Sequence, residues 1–471
     1  MNESNMDYLD IIKKAKLAEY GPVHGSIVIL PYGVQIWKRI VSELSSVLEK
    51  KDHEQIYFPL FIPESFFDRE REYLPDLSPC NFTVTRVGEN KLNETLVVRP
   101  TSELTASYMF AKWVNSFRDL PIKVFQWANI ARYEKVTHPF IKGTEIQWLE
   151  GHTVHSSHES AIEEIDTITD VFYLFITDYL KIPILFGEET VTKKFVGSLF
   201  TRSFETITPN GKALQLAAIY DLGQLFANQF SVKYRDKDNT VKNCWTTDWG
   251  LGFRLIGALA LIHGDSRGLR LPSTIAPYQA YIVALTTKKP SQDKTVYKCN
   301  EIKRLLDNNQ IRCKIIEQGE SHFSKIIQDA EIAGVPITML IGDEEMKNNT
   351  VTLLRRDKRV GQNRFSINVQ NLIEFIRSTL NEYDSVLYIE AYSTFNSNQV
   401  ICDTTKDLDD CIENNWVIAP WCGSSECEAN AIESKRNIRI IIKDDEFIKL
   451  KSKCIICGKK AVYKAFFAHN Y

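Results

Sequence analysis

One segment constrains this chain more than any other, the run from Leu96 to His155. It contains LVVRPTSEL and, further on, DLPIKVFQWANIARYEKVTHPFIKGTEIQWLEGHTVH. Arg99, Thr101, Glu103, Arg132, Glu134, Lys142, Glu145, Trp148, Glu150 and His152 all fall inside it. Arg132 and Glu134 stand two apart, so on a strand both point to one face. Trp148, Glu150 and His152 repeat that spacing on a second expected strand. Two such strands side by side present an arginine, three carboxylates counting Glu103, an aromatic plate and a histidine. A buried face of that kind is costly unless its charges are paired or hold a ligand. A ligand carrying a triphosphate and an amine suits the mixture. The arginine would hold the anionic groups, and the carboxylates an ammonium and a bridging metal ion. Ordinary ion pairs on a solvated face are the alternative.

A second stretch, TTDWGLGFRLIGALALIHGD, points the same way. Leu251 to His263 reads as a helix, and Arg254 enters this apolar element just after Gly250 and Gly252. An arginine placed there suits a phosphate, with the glycines allowing a nucleotide to approach closely. A snorkelling arginine at a helix end is the plainer reading.

Around these stretches the chain divides into three. From Ser26 to about Pro272 it is aromatic-rich. Gln35–Lys50 has helical spacing, QIYFPLFIP is a short strand-like run, and LVVRP, FTRSFETITP and KALQLAAIYDL are β-rich. This predicts an α+β domain, residues 1–272, around a mainly antiparallel sheet. From residue 273 strand and helix alternate (AYIVALTT, KCNEIKRLLDNNQ, RCKIIEQ, HFSKIIQDAEIAG, PITMLIGD), which predicts a small α/β domain with a parallel component over 273–382. Residues 383–471 form a third, smaller α+β piece. A length of 471 residues accommodates this division.

The net charge of −3 excludes a global basic field, so any nucleic-acid contact would use local patches. The N-terminus lacks the apolar core of a secretory signal, and no apolar run reaches the roughly 18 residues a membrane span needs. A cytoplasmic enzyme without membrane or DNA partners is the expectation. Cysteine usage agrees: Cys80, Cys244, Cys299 and Cys313 are scattered, as free thiols in a reducing compartment would be. WCGSSEC (Cys422, Cys427) and CIIC (Cys454, Cys457) instead form two close pairs. Four thiolates so arranged fit a structural, tetrahedral zinc site with no position open for chemistry, unliganded thiols being the alternative. Cys402 and Cys411 receive no role.

Taken together, the stretches around RPTSE, R-x-E followed by HPF, and GLGFR resemble motifs 1, 2 and 3 of the class II aminoacyl-tRNA synthetases. The run from Lys112 to Lys123, WLEGHT and HGDSRGL-x-LP narrow the resemblance to the prolyl-tRNA synthetases, and the cysteine pairs and final Tyr471 to their archaeal and eukaryotic type. The resemblance runs the length of the chain. It implies a class II antiparallel sheet with helices, an anticodon-binding-like α/β domain and a zinc-binding-like C-terminal domain. It also implies a homodimer formed through the long helix and strand of motif 1, with tRNA, an amino acid, ATP and Mg²⁺ as partners. An amino-acid carboxylate would attack the α-phosphate of ATP, and the acyl group would then pass to the tRNA 3′ ribose. Such catalysis is positioning and charge neutralisation and needs no side-chain nucleophile. By resemblance, Arg132 would bridge carboxylate and α-phosphate, Glu134 hold the adenine side, Lys142 the distal phosphates, and Arg254 the γ-phosphate or adenine. Gln215 would also contact the nucleotide. Thr101 and Glu103 would bind the substrate amine, Trp148 and Phe195 would flank its ring, and Glu150 and His152 would line the floor.

The chain departs from the family pattern where the amino acid should be read. Leu216 and Ala217 stand where the family has glycines, Ala218 where it has Thr and Tyr220 where it has His. Leu199 replaces an Asp, Gly252 and Phe253 replace threonines, and KGTE replaces Arg-Thr-Arg-Glu. One lost hydroxyl bond costs only about 1 kcal/mol, but leucine for a ligand-touching glycine can exclude the ligand. Thr338, Leu340 and Glu344 also replace family residues that help read the proline anticodon, while Arg355, Arg356 and Asp357 remain to hold an RNA backbone. Three readings stay open on this basis. They are an enzyme activating proline or a related amino acid for tRNA, a specialised paralogue serving another tRNA or a non-RNA acceptor, and an inactive binding protein on the same fold.

Overall fold

The computed structural model describes residues 7–71, 80–285, 294–317, 322–358 and 363–471. Residues 1–6 of the expected leaderless N-terminus, and the end of the AYIVALTT run, lie outside them.

Helix α1 (Pro31–Glu49) begins earlier than the spacing alone suggests because Pro31 sits in its first turn, where a missing N–H costs nothing. Its apolar stripe, Ile36, Trp37, Ile40, Leu44 and Leu48, is buried in the chain's own core. That stripe is therefore not what a partner subunit would cover. The exposed Tyr57, Leu60 and Phe61 follow it.

The core is organised on one sheet of 11 strands. Its members in chain order are β1 (Glu54–Gln55), β2 (Ile122–Ala131), β3 (Glu145–His155), β4 (Leu185–Glu188), β5 (Phe200–Ile207), β6 (Ala213–Gly223) and β7 (Trp245–Gly252). The next five strands, β8 (Ala280–Ala284), β9 (Cys313–Glu317), β10 (Ile337–Ile341), β11 (Thr350–Arg355) and β12 (Arg364–Asn368), form a separate sheet. Four C-terminal strands, β13 (Gln399–Ile401), β14 (Trp416–Trp421), β15 (Ile438–Ile442) and β16 (Tyr463–Phe467), return to the first. The large sheet runs β13-β14-β16-β15-β4-β5-β6-β7-β3-β2-β1. It is antiparallel except for the parallel pairs at its two edges, β13 with β14 and β1 with β2. The C-terminal piece thus continues the catalytic sheet through one bridge, Ile441 opposite Glu188. The chain end follows it back: Tyr471 donates its N–H to Ala213 O at 3.0 Å, and its ring lies 6.3 Å from that of Tyr8. In the separate sheet β8 is parallel to β9 and β10, the expected α/β signature. A single helix, α2 (Leu372–Ser397), leads from that sheet into the C-terminal strands.

Two local expectations are corrected. Leu251 and Gly252 end strand β7 rather than open a helix, because Leu251 is paired with Leu149 on one side and Ala217 on the other. The helix, α3 (Arg254–His263), begins at Arg254 itself. Strand β2 stops at Ala131, so the two-residue alternation that placed Arg132 and Glu134 on one face no longer applies.

Candidate active site

Strand register builds the site as a grid on one face of the large sheet. One row reads Tyr220, Asp248, His152 and Val124 across β6, β7, β3 and β2. The next reads Ala218, Gly250, Glu150 and Gln126, and a third places Gly252 beside Trp148 and Ala128. The glycines leave room above this floor, and a cavity of about 270 Å³ opens there. Thr101, Glu103, Arg132, Trp148, Glu150, His152, Phe195, Gln215, Ala218, Tyr220 and Arg254 all line it, so the structure brings eleven of the expected residues together.

Glu134 and Lys142 are the exceptions. Beyond the end of β2 they pair with each other at 2.9 Å, with the lysine half-exposed, and do not line this cavity. Glu150 does line it, but its carboxylate is used internally. Ser102 donates through N–H (3.1 Å) and Oγ (2.6 Å), and Gln126 through Nε2 (2.5 Å). Burial pushes its pKa up, yet His152, Ser102 and Gln126 together hold it below the ordinary carboxylate value. Glu150 therefore braces the floor.

His152 donates from Nδ1 to Asp248 Oδ1 at 2.8 Å, and its Nε2 lies 3.6 Å from Glu150. Burial alone would lower the imidazole pKa. The two carboxylates outweigh it and hold the ring charged, well above the ordinary histidine value. Asp248 is itself pushed up to about 7 by burial, against the pull of His152. Glu103, which accepts a hydrogen bond from Thr101, is raised by burial as well. An arriving ammonium would relieve that strain.

At the other end Arg132 donates from Nε to Pro100 O at 2.9 Å and lies 5.1 Å above the Trp148 ring. Both contacts aim the guanidinium without neutralising it. Arg254 is held by Ile141 O and Gln215 O, each at 2.9 Å. It is anchored by backbone and so is not merely snorkelling. Gln215 donates to Glu189 (3.1 Å) and Ser203 (2.9 Å). Glu189 lies near the Glu205–Arg439 ion pair, which ties this end of the site to the C-terminal strands. Phe195 closes a wall, its ring 5.6 Å from that of Tyr220 and edge-on to it. Within the altered segment Leu216, Ala217, Ala218 and Tyr220 all line the cavity, and Leu216 and Ala217 also belong to the core beneath it.

Sequence reasoning missed Asp248, Gln126 and Ser102. Asp248 was legible: it stands two residues before Gly250 in TTDWG, the same alternation that marks the floor on β3. Gln126 and Ser102 carry no comparable signal, since only the fold brings them to Glu150.

The four cysteines do meet. Cys422, Cys427, Cys454 and Cys457 place all their sulfurs within 4.8 Å of one another, with Cys427–Cys454 and Cys422–Cys457 each at 3.7 Å. Arg355 and Arg356, by contrast, are not available to RNA. Arg355 is held by Asp357 and Glu382, Arg356 by Asp265, and both are buried.

This sheet, with a motif arginine at its rim and another at the start of α3, defines a class II aminoacyl-tRNA synthetase. Residues 82–263 match the family model for the tRNA synthetase class II core domain (G, H, P, S and T). Residues 279–379 match the anticodon binding domain, and residues 405–471 the C-terminal domain of prolyl-tRNA synthetase. The chain is 37% identical to the proline–tRNA ligase of Borreliella afzelii, over 98% of this chain and 97% of the relative. Prolyl-tRNA synthetase of Cryptosporidium parvum complexed with halofuginone and AMPPNP superimposes with a TM-score of 0.92 at 31% identity, covering 98% of this chain and 97% of that one. The same enzyme complexed with L-proline and AMP gives 0.91 at 30% identity, covering 98% and 94%. The chain belongs to the prolyl-tRNA synthetase family.

Proposed function

We propose that this protein activates proline with ATP and transfers the prolyl group to the 3′ end of a tRNA. The observation that carries the reading is the cavity. Arg132 and Arg254 line it and would take anionic groups, while Thr101, Glu103, Trp148 and Phe195 line it too and would take a compact ammonium between aromatic walls. A solved relative that shares this fold over 98% of this chain and 94% of its own holds L-proline and AMP. Leu216 and Ala217 line this cavity as well as the core, so they would narrow it, and the cavity that remains still suits a compact substrate. Neither a specialised paralogue nor an inactive binding protein has support.

In this reading Arg132 holds the carboxylate against the α-phosphate, and Arg254 and Gln215 hold the nucleotide. Glu103 and Thr101 take the ammonium, while Trp148, Phe195, Ala218 and Tyr220 shape the ring pocket. Glu150 and His152 keep that floor in place. Catalysis is then in-line positioning with charge neutralisation at the α-phosphate. Glu134 and Lys142, joined to each other at the rim, would reach the nucleotide by exchanging their mutual ion pair for it. Mg²⁺ would enter with ATP, keeping mostly phosphate and water ligands, and would neutralise the pyrophosphate charge.

The cysteine cluster fits zinc. A tetrahedron with Zn–S near 2.3 Å has sulfur–sulfur edges of about 3.8 Å, close to the two pairs seen. Zinc there would be structural. We keep the division into 1–272, 273–382 and 383–471, with the middle unit meeting the tRNA anticodon through residues other than Arg355 and Arg356. A cytoplasmic homodimer covering Tyr57, Leu60 and Phe61 completes the proposal. Among the described residues no helix is long and apolar enough to cross a membrane.

Charging a proline tRNA transcript with labelled proline tests the transfer step. Proline should accumulate on the RNA only with ATP present. ATP-dependent adenylate formation without RNA labelling would show that the acceptor is wrong.

A further inference from the structure

The polar groups that face the cavity can be sorted by what each already holds. Glu150 already accepts three hydrogen bonds and faces the His152 ring as well. Thr101 donates to Glu103, and Arg132 donates to Pro100 O. Asp248 differs. Its Oδ1 accepts from His152, but its Oδ2 has no hydrogen-bond partner, although the residue is only 6% exposed and lines the cavity. A buried carboxylate oxygen in that condition is costly unless a ligand donates to it. Register places Asp248 between Tyr220 and His152 in the floor's first row. Its electrostatic neighbours include Glu103, the carboxylate already assigned to the substrate amine.

Resting on the reading that the cavity takes proline, we propose that Asp248 is a second anchor for the substrate's secondary ammonium, its Oδ2 accepting one N–H while Glu103 accepts the other. A secondary ammonium has two N–H donors, and the site offers two acceptors with capacity left. A primary amino acid brings a third N–H, which this arrangement leaves buried without a partner. Asp248 then sets specificity for the class of amine as well as orienting His152. The charges agree: one imidazolium, His152, stands among three carboxylates, Glu103, Glu150 and Asp248, so the floor favours an incoming cation.

Asp248→Asn is the sharp test, since it keeps an oxygen for His152 Nδ1 and turns the free acceptor into a donor. In proline-dependent ATP–pyrophosphate exchange, the KM for proline should rise roughly tenfold or more, with the KM for ATP held within about twofold. The kcat/KM preference for proline over alanine should fall by about tenfold as well. Asp248→Ala, checked for an unchanged melting temperature, should move the same two quantities. An unchanged KM for proline overturns the proposal, and so does a joint rise for proline and ATP, which marks a structural role. A wild-type preference for hydroxyprolines that disappears in Asp248→Asn also overturns it, since Oδ2 would then read a ring substituent. Wild-type exchange with no response to proline fails differently, by removing the substrate reading beneath it.

Discussion

At the scale of single residues, the site works by setting charged groups against one another under burial. Glu189 shows this most simply. Burial and the neighbouring Glu205 push its carboxyl up to about 7, outweighing Arg439, Lys193 and the bond from Gln215. The folded protein therefore binds a proton here that the unfolded chain has already released between about pH 4.5 and 7. Stability falls as pH rises through that window, because ionising Glu189 costs more in the native state. Glu189→Gln removes the effect while keeping an oxygen for Gln215. Chemical denaturation of the two proteins should show the variant gaining on wild type by about 1–3 kcal/mol between pH 5 and pH 8. Parallel stability curves would place the shift elsewhere. The chemistry-bearing residues were legible one by one: eleven of the expected set line the cavity. What a sequence does not display is whether a side chain is free. Glu150, Arg355 and Arg356 all look available and are all spent on internal partners.

At the scale of elements, strand register decides which residues meet. The alternation read on β3 was right because that strand is long and continuous, from Glu145 to His155. The same argument failed for Glu134 because β2 ends at Ala131 and nothing local announces the stop. The helix expected from Leu251 was misread for a related reason: an apolar run suits a buried central strand as well as a helix. The back of the floor depends on one close approach. A Cβ on Gly151 would lie 2.1 Å from the Trp249 ring, which packs flat beneath β3. Gly151→Ala should cost about 1–3 kcal/mol, seen as a lower denaturant midpoint with an unchanged slope. No loss would mean that the Trp249 ring shifts freely, contrary to its near-complete burial.

At the scale of the whole molecule, the C-terminal strands are an extension of the catalytic sheet. The domain series was legible from the switch to alternating strands and helices after residue 273. That the third piece rejoins the first was not, since the backbone bridges that join them, Ile441 to Glu188 and Ala213 to Asn470, link residues far apart in the sequence. Arg439 reaching Glu205, and Tyr471 reaching Ala213, carry that connection to within two residues of Gln215. The cysteine cluster should therefore matter to a site it does not touch. Replacing Cys427 and Cys454 by Ser, or chelating the zinc proposed there, should lower the melting temperature and make residues 383–471 protease-sensitive. The KM for ATP should rise with it. Loss of the metal with both properties unchanged would show that these strands hold without zinc.

The central claim is that this cavity activates proline. ATP–pyrophosphate exchange measured across a panel of amino acids tests it most directly, with Arg132→Ala as the control. The account predicts exchange that depends on proline and falls at least about 100-fold in Arg132→Ala. Exchange driven by a different amino acid alone, or by none, would contradict it.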